Sequence, residues 1–464
     1  MRYIPHTEQD IRQMLDTIGV RTIRDLFADI PDALQIQQPL NIPPALDEHA
    51  LFRRLSALAA QNADTQRYLS FLGAGVYDHF IPAIVETIIS RGEFLTAYTP
   101  YQPEASQGLL QSIFEFQTMV CELTGMEVAN ASMYDASTAL AEAALMACHL
   151  TSRTKVLVSQ AVHPHYRQVL RTYMGANSCE LVELPLEEGV TSLEAMHHAV
   201  DEQTACLIVQ YPNFFGLIEP LAPVVARAHA HGALAIVCVD PIALGVLKPP
   251  GEYDVDIVVG EGQSLGNQMG YGGPLLGLFA CKQAYVRRLP GRIVGQTTDS
   301  EGRRGFVMTL RTREQDIRRE KATSNICTNE ALCALASTVF LAALGKQGFR
   351  ELAETCTQKA HYAAARLTQI PGVRLRFPNT PFFKEFVLEL PRPANEVCEA
   401  LLEHGVIAGL PLSDYYPDMT QALLVCVTET RTREDIDRFA SLLATVGSAP
   451  RSSTLGTREQ DVSG

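Results

Sequence analysis

The sequence has no cysteine pair spaced as CxxC and no cysteine–histidine cluster at metal-ligand spacing, so it offers no zinc site and none is expected. Its eleven cysteines stand singly, as in ACLIVQY around Cys206 and AIVCVD around Cys238, the pattern of buried thiols in a reducing compartment. No stretch approaches the roughly 20 apolar residues of a membrane span, and the opening MRYIPHTEQDIRQ carries acids and no apolar leader, so a cytoplasmic chain with no membrane partner is expected. Positive charge is also short. The 38 Lys and Arg against 52 Asp and Glu leave a net charge of -14, which repels nucleic-acid phosphates and anionic lipid alike. A repeat of roughly 20–50 residues is missing too, which excludes a solenoid.

What is present is an ordinary globular balance, 47% hydrophobic and 19% charged, over 464 residues. That length exceeds the roughly 250–300 residues one core serves, so two packed units or more are expected. Apolar residues at helical spacing (Ile11, Leu15, Ile18, then Ile23, Leu26, Phe27) predict a helical arm over 1–64, broken by the prolines between Pro39 and Pro44. Between about 150 and 280, the runs KVLVS, CELVEL, ACLIVQY, LAIVCV and DIVVG alternate with helix-like stretches. They predict a large α/β domain over 65–329 with a mostly parallel sheet. A helix-like run from Glu330 to Leu344, the strands VRLRF, EFVLEL and ALLVCVT, and the helices EVCEALLEH and REDIDRFASLLATV predict a small α+β domain over 330–447. The polar tail 448–464 is expected to be disordered.

In open α/β sheets ligands bind beyond the carboxyl ends of the strands. Asp240 directly follows LAIVCV, where a carboxylate could hold a pyridinium nitrogen protonated, or could simply cap the next turn. His163 follows KVLVS and could stack on a flat ring, or cap a helix. MYDASTALAEAA places Ser137 at a helix start, where free N–H groups can receive a phosphate, or where plain N-capping suffices. His229 and His231 sit near a helix end and are assigned no function. The loop VVGEGQSLGNQMGYGGP lacks the GK[ST] ending of a phosphate-binding P-loop and opens no helix, so it is no dinucleotide fingerprint either.

That loop resembles the corresponding loop of glycine decarboxylase P-proteins. So do FLGAGVYDHFIPAIV at 71–85, YTPYQPEASQGLLQSIFEFQTMVCELTGMEVANASMYD at 98–135 and GRIVGQTTDSEGRRGFVMTLRTREQDIRREKATSNICTNEAL at 291–332. The resemblance runs from about residue 3 to 446, and the length fits the separate α subunit of a P-protein split into two chains. Ala136 and Asp316 depart from the pattern, where glycine and histidine are common. The resemblance implies a fold-type-I pyridoxal-phosphate-dependent transferase-like α/β fold. The implied activity is glycine decarboxylation with transfer of the aminomethyl group to the lipoyl arm of H-protein.

Aligning the GGP ending of the loop with that of the catalytic subunit puts Gln263 where the Schiff-base lysine would be, and a carboxamide cannot form an imine. The resemblance then implies that pyridoxal 5'-phosphate is held covalently by a homologous, lysine-bearing β subunit in an α₂β₂ assembly. This chain would keep a relic pocket of Ser137, His163, Asp240 and Gln263. Its contribution in trans would come from Tyr98, Tyr101, Gln102 and Glu104 on one segment and Arg319, Thr323, Ser324 and Asn325 on another. From charge pattern alone, RREKA reads better as a solvated helix face with i,i+4 pairs. Two alternatives compete with this view. One is an autonomous pyridoxal enzyme using Lys248 or Lys282, and the other a purely structural pseudoenzyme.

Overall fold

The protein is described from a computed structural model that covers residues 5–36, 38, 40–326 and 328–448. Of the tail 448–464 expected to be disordered, Ser448 ends the helix Arg433–Ser448 and 449–464 lie outside the described residues. Two compact units separate between Ala63 and Asp64.

The first unit is the arm. Its two α-helices, Glu8–Ile18 and Glu48–Ala59, begin where Thr7 and Asp47 accept hydrogen bonds from Asp10 N and Ala50 N. Short 3₁₀ turns, Ile23–Phe27 and Asp32–Leu34, lie between them. No described residue of the arm is buried, although Leu34, Ile36, Ile42 and Phe52 are each more than 70% exposed.

The second unit is built on a seven-stranded sheet. Its strands run in the spatial order Val128–Ala129, Gly277–Cys281, Ile257–Glu261, Leu234–Val239, Thr204–Tyr211, Lys155–Ser159 and Glu180–Leu184. The last five pair in parallel, and Gly277–Cys281 is antiparallel to both of its neighbours. Strands buried on both faces explain the near-continuous apolar runs in the sequence. Val156, Val158, Ile208, Ile236 and Val259 point to a core shared with the alanine-rich helix Ala136–Thr151. The alternate residues Leu157, Leu207, Val237 and Val258 point to an opposite core with Phe116 and Val120 of the helix Gln107–Thr124.

A four-stranded antiparallel sheet in the order Arg374–Leu375, Glu385–Glu389, Ala422–Cys426 and Leu410–Pro411 forms the smaller layer with the helices Ala394–Leu402 and Arg433–Ser448. The helix Ala331–Leu367 joins the two layers. Its first half (Ala334, Phe340, Phe349, Ala353) packs in the core of the large sheet and its second half (Ala360, Ala364, Leu367) in that of the small one. The change of core thus comes between Cys356 and Ala360, in the last third of the helix and beyond the border placed at 329/330. At 37 residues this helix is long and apolar enough to cross a membrane, contrary to the expectation that no stretch is; its apolar side chains are spent on the two cores instead.

Candidate functional site

Of the four residues expected to form a relic pocket, His163 and Gln263 bond to the loop 71–80 and Asp240 reaches it through Lys384, whereas the hydrogen bonds of Ser137 go to Asp135. Gln263 follows the strand Ile257–Glu261 and is 1% exposed. Its Oε1 accepts from Tyr77 N at 2.9 Å, and its Nε2 donates to Tyr77 O at 3.1 Å and to Asn267 O at 2.8 Å. Both N–H donors and one lone pair of the carboxamide are thus engaged, two of the three bonds pinning Tyr77 of the loop.

Asp240 ends the strand Leu234–Val239. Its Oδ1 caps Ile242 N at 3.1 Å, as the plainer reading of this residue supposed, while its Oδ2 meets Lys384 Nζ at 2.8 Å. Lys384 is 1% exposed and was not foreseen. Its ammonium has two further neighbours, His79 Nε2 at 3.2 Å and the face of the Tyr77 ring at 3.5 Å. Burial lowers its pKa, but the charge and hydrogen bond of Asp240 together with the neighbouring Cys426 and Cys356 raise it on balance, so the group stays protonated. His79 is lowered by burial and by Lys384. It sits neutral, accepting from Lys384 and donating Nδ1–H to Glu429 Oε2 at 2.6 Å. Glu385, the next residue along, accepts from Ala74 N at 2.7 Å and from the Tyr77 hydroxyl at 2.8 Å, and burial pushes it up to about 7.

His163 lies at the N-terminus of the helix Pro164–Ala176, and both ring nitrogens are engaged. Nδ1 accepts from His165 N at 3.1 Å and Nε2 donates to Ala74 O at 2.8 Å. Burial holds its pKa at about 4. The flat ring stacked on it, 4.4 Å between centroids and 21° from parallel, is Tyr166 from the same helix. Gly75, at φ +98°, runs against this pair; a Cβ there would stand 3.2 Å from the His163 ring.

At the start of the helix Ala136–Thr151, Asp135 accepts from Ser137 N at 2.7 Å and Thr138 N at 3.0 Å, and the Ser137 hydroxyl also donates to it. Glu261, 8% exposed, accepts from Ala136 N at 3.0 Å, Gln263 N at 3.1 Å and Leu276 N at 2.9 Å. Burial, with a smaller push from the Asp135 charge, raises Glu261 to about 8 against these donors.

The residues present do not fit a cofactor bound by this chain. Position 263 offers no amine for an imine, the one lysine that enters the pocket, Lys384, is paired with Asp240, and the helix N–H groups of Ala136, Ser137 and Thr138 already have carboxyl acceptors. Lys248 lies over the Tyr253 ring at 4.5 Å, and Lys282 pairs with Asp254 and Asp256 at 2.8 Å. Neither approaches Asp240's network among the described contacts. His79, Cys356 and Glu429 do place three ligand-type atoms within 4.8 Å of one another, a grouping hidden by their separation in sequence. With the Lys384 ammonium on the other nitrogen of His79, that corner suits proton sharing rather than a cation.

The segments expected to act in trans lie elsewhere. Tyr98 is 74% and Tyr101 44% exposed, and Gln102, Glu104, Arg319 and Asn325 are exposed as well. Arg292, 4% exposed, organises them by donating to Thr99 Oγ1 at 2.9 Å and to the Tyr101 hydroxyl at 3.0 Å. Arg311 stacks over the same Tyr101 ring at 5.1 Å. Tyr98, Thr99 and Pro100 line a cleft of about 170 Å³ with Thr328, Asn329 and Ala331, but Arg319, Thr323, Ser324 and Asn325 do not line it. Ser324 turns inward instead: its hydroxyl bonds Glu142, whose carboxyl burial pushes up to about 6, and accepts from Ile326 N at 3.1 Å. Thr323 is half-buried, its N donating to Arg313 O at 3.1 Å. The run RREKA forms no continuous helix, because the chain turns left-handed at Arg319, φ +53°.

Residues 1–443 match the family model described as "Glycine cleavage system P-protein". A chain from Geobacillus sp. (strain WCH70), described as "Probable glycine dehydrogenase (decarboxylating) subunit 1", is 55% identical over 442 residues, covering 95% of this chain and 98% of that one. Among solved structures, a crystal structure of glycine decarboxylase (P-protein) of the glycine cleavage system, in inhibitor-bound form, superposes with a TM-score of 0.88 at 49% identity, covering 96% of this chain and 100% of that one. A Lactobacillus brevis glutamate decarboxylase, 14% identical with a TM-score of 0.68 over 92% of this chain and 99% of that one, shares the fold alone.

Proposed function

The chain belongs to the glycine cleavage system P-protein family, and from that premise we propose that it works as the subunit of glycine dehydrogenase (decarboxylating) that carries no Schiff-base lysine. The observation that carries this reading is Gln263, buried, unable to form an imine and locked by three hydrogen bonds. The fold is that of pyridoxal-phosphate enzymes, and a subunit numbered 1 implies a second. The cofactor is then held on the partner's lysine in an α₂β₂ complex in the cytoplasm, where, when bound, it supplies an electron sink for the loss of CO₂ from glycine. H-protein is the proposed acceptor of the aminomethyl group.

This chain's residues serve that site from outside its own pocket. Tyr98, Tyr101, Gln102 and Glu104 shape the substrate's way in, with Arg292 fixing the Tyr101 hydroxyl. Arg319 and Asn325, both exposed, offer donors to the phosphate of the partner's cofactor, and Thr323 a weaker one. Ser324 has the smallest claim, because Glu142 already engages it.

The test mixes variant chains with wild-type partner and follows both pyridoxal content and glycine–bicarbonate exchange. Asn325→Ala removes one or two charge-assisted hydrogen bonds of about 1.5–3 kcal/mol each, so cofactor retention is expected to fall by about one to two orders of magnitude. Tyr101→Phe keeps the ring and is expected to keep the cofactor while slowing exchange. Wild-type behaviour of both variants in an intact assembly would replace this reading with that of a scaffold.

A further inference from the structure

A fold that has lost a charged, flat ligand is left with groups evolved to hold it. An unpaired buried carboxylate and unsatisfied helix N–H groups each destabilise a protein by kilocalories unless something else meets them. In this chain something does, at every point. We infer that the chain has filled its former cofactor pocket with its own side chains, each standing where one part of a pyridoxal phosphate would be held. The Tyr166 ring stacks on His163 as the pyridine ring would, 4.4 Å between centroids. The Lys384 ammonium meets Asp240 at 2.8 Å as a pyridinium N–H would. The Asp135 and Glu261 carboxylates take the N–H groups of Ala136, Ser137 and Thr138 as a phosphate would.

These are one constellation. A Cβ on Gly75 would stand 3.2 Å from the His163 ring and 3.4 Å from the Tyr166 hydroxyl, so the stacked pair closes against the same loop whose Tyr77 meets Gln263 and Lys384. Gln263 closes the remaining side by holding Tyr77, whose ring in turn covers Lys384. Three elements far apart in sequence, the helix Pro164–Ala176, the strand Ile257–Glu261 and the strand Glu385–Glu389 with its preceding lysine, thereby substitute for one small molecule. The pocket has become part of the structural core, and restoring the lysine alone does not restore a cofactor site.

This inference concerns the chain's own pocket and stands independently of how the chain lines its partner's site. The experiment uses the full-length chain, alone and reassembled with its partner, incubated with excess pyridoxal phosphate, reduced with borohydride and mapped by peptide mass spectrometry. Gln263→Lys by itself is expected to gain no adduct at position 263, whereas Gln263→Lys combined with Tyr166→Ala and Lys384→Met is expected to gain one. A stoichiometric adduct at 263 in the single variant would overturn the inference, since a filled pocket cannot admit the ring. Thermal unfolding gives a second reading that does not need the opened variant to fold. Lys384→Met should melt several degrees below wild type, and adding Asp240→Asn should recover most of the loss; a Lys384→Met chain that melts with wild type overturns the pairing. Pyridoxal content of the Asn325→Ala complex is unaffected by either result, so the two proposals fail separately.

Discussion

At the scale of single residues, Gln263 and His163 are held by their neighbours. An imine-forming lysine at position 263 would need freedom to reach a cofactor; the glutamine there is useful because it is rigid, bonded on all sides to Tyr77 and Asn267. His163 shows the same conversion to structure, and it gives a pH signature. Its folded pKa, about 4, lies below the ordinary 6.5, so as pH falls below 6.5 the unfolded chain takes up a proton and the folded chain does not. Its contribution is complete above pH 6.5 and is lost on acidification towards pH 4. The gap corresponds to about 3 kcal/mol. Glu385 and Glu261, raised to about 7 and about 8, act with the opposite sign: their contributions are complete below the ordinary 4.5 and fade as pH rises through those values. Thermal melts from pH 7 to pH 4 should therefore show His163→Phe, which keeps a ring against Tyr166, losing less stability on acidification than wild type. Parallel pH profiles for the two chains would contradict this assignment.

At the scale of elements, the arm and the long helix differ in what covers them. The arm has alternating apolar residues and intact helix caps but no buried residue among those described. Apolar surface on that scale marks an interaction site in a stable protein. The expected cover is the partner subunit, in an obligate interface larger than roughly 2,000 Å². Deleting residues 1–63 should weaken the complex, seen as separate subunits by size-exclusion chromatography, and a truncated chain that co-elutes fully with its partner would exclude this role. The strands of the large sheet were legible in the sequence because burial on both faces leaves continuous apolar runs, and KVLVS and LAIVCV match their strands residue for residue. The helix Ala331–Leu367 was legible only to Leu344, because Gly345, at φ +62°, interrupts the helical backbone and a glycine in such a pattern reads as an end. RREKA was ambiguous for a related reason: a left-handed turn at Arg319 is not signalled by any glycine or asparagine.

At the scale of the whole molecule, the chain has the fold of pyridoxal enzymes, and the proposed role leaves the cofactor to a second subunit. The purified complex should accordingly contain one pyridoxal phosphate for each pair of homologous chains, all of it on the partner, as counted by absorbance and by borohydride-fixed peptides. Two per pair would mean that this chain's pocket is open. The sequence by itself determined the fold class, the family and the missing lysine, because these depend on local periodicity and on long contiguous motifs. It also pointed to Asp240, His163 and Ser137, each of which directly follows a strand or opens a helix. Lys384 and Glu261 left only a faint trace, a charge at the edge of FFKEFVLEL and another ending IVVGE. Whether such a charge is solvated or paired in a core depends on what the chain brings against it from more than a hundred residues away, as Asp240 meets Lys384 and Ala136 meets Glu261. That choice belongs to tertiary structure, because the free energy of a buried charge is set by its spatial neighbours and not by its neighbours in sequence.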